Sequence, residues 1–244
     1  MIRLRSLLVF ILASALLGVV AYAIYEVESR AIVSVRVAGT LSYTSEAQLE
    51  AVVDGHLSAS LYRVNVDAIR DATLSLPWVK DTSVRRVWPD SLHLAVVERE
   101  PVARWTRGGL IESTGEVFFP GSTSAFSHLP LLEGPPGTNA LMLEKLRDLQ
   151  APMRPAGWEI TRLVLNRRGS WFAELNNQVV LMLGQQSDHK VVQNFIDAFD
   201  TVLASRAVDL VQADLRYTNG FSVRWKFAKA AETQLDVKGE GGQG

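Results

Sequence analysis

The residues with most to offer chemically stand near the end of the chain, in Asp214-Leu215-Arg216-Tyr217-Thr218-Asn219-Gly220-Phe221-Ser222-Val223-Arg224-Trp225. Arginine, tyrosine and tryptophan are the side chains that dominate binding energy at protein interfaces. Here they alternate along what reads as a hairpin, so the chemistry on offer is recognition rather than bond making. The four histidines, His56, His93, His128 and His189, are far apart and lack metal-ligand spacing. No Ser-His-Asp order, phosphate-binding loop or dinucleotide fingerprint occurs. The chain therefore reads as a non-enzyme, with no metal and no cofactor. Having no Cys, it has neither disulfides nor thiolate sites, and a formal net charge of −1 argues against a dedicated nucleic-acid binder.

Asn219-Gly220 is a strong hairpin signal. A two-residue loop would set Tyr217 opposite Ser222, on the sheet face away from Trp225. A three-residue loop, Thr218-Asn219-Gly220, pairs Tyr217 with Phe221 and Leu215 with Val223. That register gathers Ala213, Leu215, Tyr217, Phe221, Val223 and Trp225 on one face and leaves Asp214, Arg216, Ser222 and Arg224 on the other. Because a one-residue slip exchanges the faces, the pattern selects the three-residue loop, with Gly220 left-handed. The terminal strand, Phe221–Phe227, would then offer unpaired backbone donors and acceptors on its outer edge, where an extended partner can add. For Tyr217 and Trp225 themselves, pattern alone favours the plainer alternative of packing in the core.

The elements that must position this hairpin begin with an apolar run. Ser6–Tyr25 carries no charge, is preceded by Arg3 and Arg5, and is followed by Glu26 and Glu28. About 20 residues suffice to cross a bilayer core, and the charge bias puts the N-terminus in the cytoplasm and the bulk outside. A cleaved signal peptide competes, with Ala21-Tyr22-Ala23 as its site, although the run exceeds a usual signal core. Next, Ile32–Val37 alternates as a strand. Ser45 and Gln48 form a capping box before Leu49, Val52, Val53 and Leu57 on one helical face. Asn65 or Asp67 opens a second helix, with Ile69, Ala72, Thr73 and Leu76 on its buried side and Pro77 at its end. Val79–Val87 and Leu92–Val97 make a hairpin around Trp88-Pro89-Asp90-Ser91. Arg85-Arg86 reads as a solvated edge.

Beyond Pro101, Val102–Thr106 and Gly109–Phe119 read as short strands, and Pro130–Gly137 as a rigid connector. Met142, Leu146, Leu149 and Met153 mark a helix. Ile160–Leu165 is a strand, followed by a basic turn at Arg167-Arg168-Gly169-Ser170. Trp171–Leu175 and Val179–Leu183 pair around Asn176-Asn177. Ser187 caps a helix whose buried stripe is Val192, Phe195, Ile196, Phe199, Val202 and Leu203. Residues 229–244 read as a disordered tail.

The run Trp88-Pro89-Asp90-Ser91-Leu92 through Glu98 to Pro101-Val102-Ala103-Arg104-Trp105 resembles the domain junction of FtsQ-type bacterial cell-division proteins (the FtsQ/DivIB family). The Pro130–Pro135 segment and the Asp214–Trp225 hairpin are similar as well. The resemblance implies an α+β fold: an N-terminal transmembrane helix, then a POTRA domain (β-α-α-β-β), then a C-terminal mostly antiparallel β-domain with helices. The expected divisions are 1–5 cytoplasmic, 6–25 transmembrane, 31–100 POTRA, 101–228 β-domain and 229–244 tail.

The same resemblance implies a single-pass inner-membrane scaffold of the divisome at the septum, its bulk periplasmic. It would bind FtsB and FtsL through the β-domain and help control septal peptidoglycan synthesis. Tyr217, Gly220 and Trp225 match family binding positions, Asn219 stands at a small polar one, and Phe221, Ser222 and Val223 lie in the binding strand. Arg167 matches a basic position that meets an acidic partner, with the extra Gly169 leaving Arg168 as the alternative. The POTRA domain would help recruit the protein, and is either a docking module or a spacer. A POTRA-bearing chaperone or transporter accessory and a periplasmic hydrolase are the rival classes. The first would be favoured by tandem repeats or a β-barrel, the second by a convergent catalytic set, and the sequence shows none of these.

Overall fold

In the computed structural model the described residues are 2–28, 32, 34–57, 61–185, 189–199, 201, 208–217 and 220–226. The chain divides into two compact units. The first is Met1–Val102 with Phe118–Thr123, and the second is Ala103–Val117 with the residues from Ser124 onward.

The first unit opens with α1 (Ile2–Glu28), a helix of 27 residues. Its described side chains, Phe10–Ala23 and Tyr25, are all exposed. Among the described residues no helix is long and apolar enough to cross a membrane. The expected crossing at Ser6–Tyr25 thus lies within α1, but the described residues contain no helix that qualifies as a membrane span.

After α1 come β1 (Ser34–Ala38), α2 (Glu46–Asp54), α3 (Val66–Leu74), β2 (Val79–Val87) and β3 (Ser91–Glu98). This is the expected β-α-α-β-β order. β3 lies in the centre of a three-stranded sheet, parallel to β1 and antiparallel to β2. Ser45 and Gln48 form the complete capping box of α2, and the Asn65 side chain accepts from the amides of Asp67 and Ala68 to start α3. Leu49 and Val53 of α2, Ile69 of α3, and Val79, Leu92, Leu94 and Val96 of the strands close one core. Each such side chain contributes about 1.5–3 kcal/mol on burial. Alternation turns His93 and Ala95 to the opposite, outer face. Arg86 is not merely a solvated edge residue, because its guanidinium donates to the Val64 carbonyl at 2.6 Å. The Trp88–Pro89 peptide in the hairpin turn is cis.

Glu98 ends β3 and holds a loop far away in sequence. Its carboxylate accepts from the backbone amides of Ser42 (2.6 Å), Tyr43 (3.1 Å) and Thr44 (2.6 Å). Burial alone would push this carboxyl up. The amides of Ser42, Thr44 and Tyr43 outweigh it and hold Glu98 below its ordinary value.

The second unit is built on a sheet whose order is β12-β11-β10-β9-β8-β7-β4-β5-β6. The strands are β4 (Pro101–Trp105), β5 (Gly109–Glu112), β6 (Val117–Phe118), β7 (Leu131–Glu133), β8 (Ile160–Leu165), β9 (Trp171–Leu175), β10 (Val180–Gly184), β11 (Leu210–Asp214) and β12 (Ser222–Trp225). Helices α4 (Asn139–Met153) and α5 (His189–Ala198) complete it.

The expected antiparallel pairings are present, β8 with β9, β9 with β10 and β11 with β12, but β4 with β7, β7 with β8, and β10 with β11 run parallel. The physical reason is the connection length. α4 lies between β7 and β8, and α5 between β10 and β11, and a helical crossover returns the chain in the same direction. The Pro130–Gly137 connector also contains a strand, β7, whose three residues are too few to show a period. Met142, Leu146, Leu149 and Met153 are buried as expected, and so are Val192, Phe195, Ile196 and Phe199. The expected cap at Ser187, the residues Val202 and Leu203, and the tail at 229–244 lie outside the described residues.

Candidate functional site: a free sheet edge

β12 is the outermost strand of the second unit's sheet, with only β11 beside it. One side of its backbone pairs with β11, through Asp214↔Ser222, Ala213↔Val223, Gln212↔Arg224 and Leu210↔Trp225. The other side has no neighbouring strand among the described residues. Along β12 the exposure alternates: Ser222 and Arg224 are exposed, while Val223 and Trp225 are half-buried.

The observed register differs from the expected one by two positions. Ala213, not Leu215, stands opposite Val223. A shift of two preserves the faces, so Ala213 still shares a side with Val223, and Asp214 with Ser222. It lengthens the loop, however. The ladder stops at Asp214↔Ser222, and the connection is 215–221 rather than a three-residue turn. Gly220 is not left-handed, and Asn219 lies outside the described residues.

Asp214 explains the early end. Its carboxylate accepts from the Arg216 amide at 3.1 Å and from the Arg216 guanidinium at 2.8 and 2.5 Å. A side chain that captures the amide two residues on turns the chain out of the strand. The guanidinium of Arg216 holds the Asp214 carboxyl below its ordinary value. Leu215 remains tied to the other side, with its amide on the Met182 carbonyl at 2.8 Å. Gly184, at the end of β10, completes the device. Its φ is +75°, and a Cβ there would stand 3.1 Å from Cγ of Arg216. Neither Arg216 nor Gly184 was singled out by pattern. The adjacent Asp and Arg in Asp214-Leu215-Arg216 were the only available signal.

Beyond this turn Tyr217 is exposed, 58 % of its surface being accessible. It does not pack in the core, which was the plainer alternative. Phe221 does the opposite: its ring meets buried Phe195 of α5 edge-on at 5.1 Å. Phe221 therefore anchors the start of β12 from beneath, and only part of it faces outward. Trp225, at the other end of the strand, is half-buried.

Arg167 is exposed in the turn between β8 and β9. Asn166 shapes that turn, its side chain accepting from the amides of Arg168 and Ser170, both at 2.9 Å. Gly169, at φ +79°, supplies the left-handed residue. Gln185 then donates to the Arg168 carbonyl at 2.7 Å. Gln185 directly follows β10, whose end lies beside Arg216. The Arg167 turn, the Arg216-Tyr217 loop and the start of β12 are thus at the same end of the sheet. From β9 to β12 there are three strand spacings, roughly 14 Å. Arg167, Arg168, Arg216 and Arg224 are all exposed on this part of the unit, while Lys226 lies at the far end of β12 beside Asp209. Asp214 is engaged with Arg216. The region therefore combines a free backbone edge, an outward tyrosine and an excess of positive charge, which suits an extended acidic segment.

Comparison with known proteins decides the family. Residues 30–99 match the family described as POTRA domain, FtsQ-type, and residues 103–216 match Cell division protein FtsQ/DivIB, C-terminal. Cell division protein FtsQ of Coxiella burnetii is 32% identical over 180 residues, covering 74% of each chain. The chain belongs to the FtsQ family of cell division proteins. The FtsQ proteins of Allochromatium vinosum and Bordetella pertussis are each 32% identical, over 192 and 203 residues, covering 78% and 75% of this chain and 76% and 74% of theirs. In this FtsQ-family member Arg167 falls inside the matched C-terminal segment. That match ends at Arg216, so Tyr217 and β12 lie just past it.

Proposed function

We propose that the chain is a scaffold of the bacterial divisome. α1 anchors it in the inner membrane with its N-terminal end on the cytoplasmic side, and the rest is periplasmic at the septum. Its outer edge strand β12 captures the FtsB–FtsL pair and so helps couple septal peptidoglycan synthesis to constriction. The anchor is supported by the charge-free run Ser6–Tyr25 and the arginines before it. The observation that carries the partner reading is the outermost position of β12, with no strand on its far side among the described residues, Tyr217 exposed beside it and the Arg167 turn at the same sheet end. Backbone pairing on that edge supplies affinity. Tyr217, Ser222, Val223 and Trp225 supply selection, Gly220 and Asn219 belong to the same binding segment, and Arg167 meets an acidic side chain about 14 Å away.

The test is a titration of the full-length protein in lipid nanodiscs with an FtsB–FtsL periplasmic fragment from the same organism. Val223→Pro fixes φ and removes an amide on an edge strand, where the fold tolerates it. It is expected to weaken binding by about 100-fold or more, while circular dichroism keeps its native form. Binding unchanged by Val223→Pro would place the partner elsewhere.

A further inference from the structure

The hairpin of the first unit carries an exposed apolar tip that the partner reading leaves unused. Val87 ends β2 and Trp88 opens the turn, and Tyr62 comes from the loop before α3. They are 36 %, 54 % and 56 % exposed. The rings of Tyr62 and Trp88 lie 5.8 Å apart, tilted by 57°. Tyrosine and tryptophan with one wet and one apolar side are the residues that membrane–water interfaces select.

Positive charge surrounds this tip. Arg63 follows Tyr62 and is exposed. Arg36 of β1 and Arg85 of β2 both stand opposite His93 of β3, so the three form one row on the outer face of the sheet. The next row is Ser34, Ser91 and Val87, directly below the turn. The acidic groups at this end are Asp90, which accepts from the Ser91 hydroxyl at 2.9 Å, and Asp67, at the start of α3. Glu26 and Glu28, at the end of α1, are acidic as well.

The register says which way the tip faces along the chain. β1 is parallel to β3, with Ser34 opposite Ser91. The point where the chain enters the sheet from α1 is therefore the end that bears the turn. Six residue steps separate Glu28 from Ser34, a reach of at most about 20 Å. If α1 is the anchor, the tip is held against the lipid surface at high effective concentration, where a weak contact suffices.

We propose that this tip seats in the headgroup region of an anionic phospholipid bilayer. Trp88 and Tyr62 enter the interface with Val87, and Arg36, Arg63 and Arg85 lie over the phosphates. The proposal rests on α1 being the anchor, and it fixes the orientation of the first domain on the membrane.

The test uses the full chain, whose lack of Cys makes any introduced thiol unique. An environment-sensitive fluorophore is attached at Val87→Cys, at Ser75→Cys on the opposite end of the sheet, or at Leu12→Cys in α1. Each protein is reconstituted into vesicles with and without phosphatidylglycerol, carrying a headgroup nitroxide quencher, or an acyl-chain nitroxide quencher for the probe at 12. Quenching at 87 is expected to exceed that at 75 by fivefold or more with phosphatidylglycerol. It should fall at least twofold without it, and fall to the level at 75 in a Tyr62→Ser/Trp88→Ser double variant of native circular dichroism. Equal quenching at 87 and 75, with 12 quenched, overturns the tip proposal and leaves the anchor standing. A tip shielded only when a partner protein is added overturns it in favour of a protein contact. Equal quenching at 87 in both lipid compositions overturns the choice of an anionic surface. No quenching at 12 overturns the anchor, and the tip proposal with it.

Discussion

Two hairpins in this molecule have opposite characters. The β2–β3 hairpin pairs from Val87↔Ser91 down to Val79↔Glu98, and its inner face is the core of the first unit. The β11–β12 hairpin holds only from Asp214↔Ser222 to Leu210↔Trp225, and its last strand has no neighbouring strand on its outer side among the described residues. Each is organised by a carboxylate. Glu98 reaches across to the amides of 42–44 and ties distant chain together. Asp214 turns on its near neighbour Arg216 and ends its own ladder. The first arrangement adds cooperativity to a domain. The second gives up pairing and leaves Tyr217 and a strand edge open, which is what a docking surface needs.

Perturbing the buried hairpin should act on stability, and perturbing the open one on binding. The largest stability effect is expected at Leu94→Ala. Leu94 is 1 % exposed, and removing a side chain so enclosed costs about 2–5 kcal/mol. Thermal unfolding should show it, with partner affinity per folded molecule unchanged. Glu98→Gln comes next, at about 1–2 kcal/mol, because an amide replaces the charge that three backbone donors face. Its pH dependence has a definite sign. The lowered folded value means that the stabilisation is complete above the ordinary value of 4.5 and is lost as pH falls through the folded one. Wild type and Glu98→Gln should therefore differ in urea midpoint at pH 7 and converge on acidification.

In the open hairpin, Gly184→Ala should cost about 1 kcal/mol through its left-handed φ and displace Arg216. Partner affinity should fall with it, visible by calorimetry. The smallest stability effect belongs to Tyr217→Ala, within about 0.5 kcal/mol, since the ring is exposed. Its affinity for an FtsB–FtsL fragment should nonetheless drop about tenfold. A Tyr217→Ala protein that unfolds easily but binds normally would erase the contrast between the two hairpins.

Much of this was legible in the sequence. Alternation and helical spacing placed the strands and helices of the first unit, and Ser45, Gln48 and Asn65 marked where its helices begin. The buried faces of α4 and α5 followed from their periods. Such features are local: a period or a cap is decided by residues within one or two turns of each other. Face selection in the last hairpin was local too, and it survived a register error because a shift of two restores the same sides.

Tertiary structure alone decided the rest. The length of the last loop depends on Asp214 choosing Arg216 over continued pairing, and on Gly184 leaving room beside it. The three residues of β7 become a strand only because β4 and β8 flank them. Parallel neighbours are set by crossovers, which leave no mark in the strands themselves. The Arg167 turn joins the end of β10 through Gln185, and Glu98 finds amides more than 50 residues away. A carboxylate carries no record of which donors it will meet. That is settled when the chain folds, because a half-buried charge then takes the donors that the geometry brings within reach.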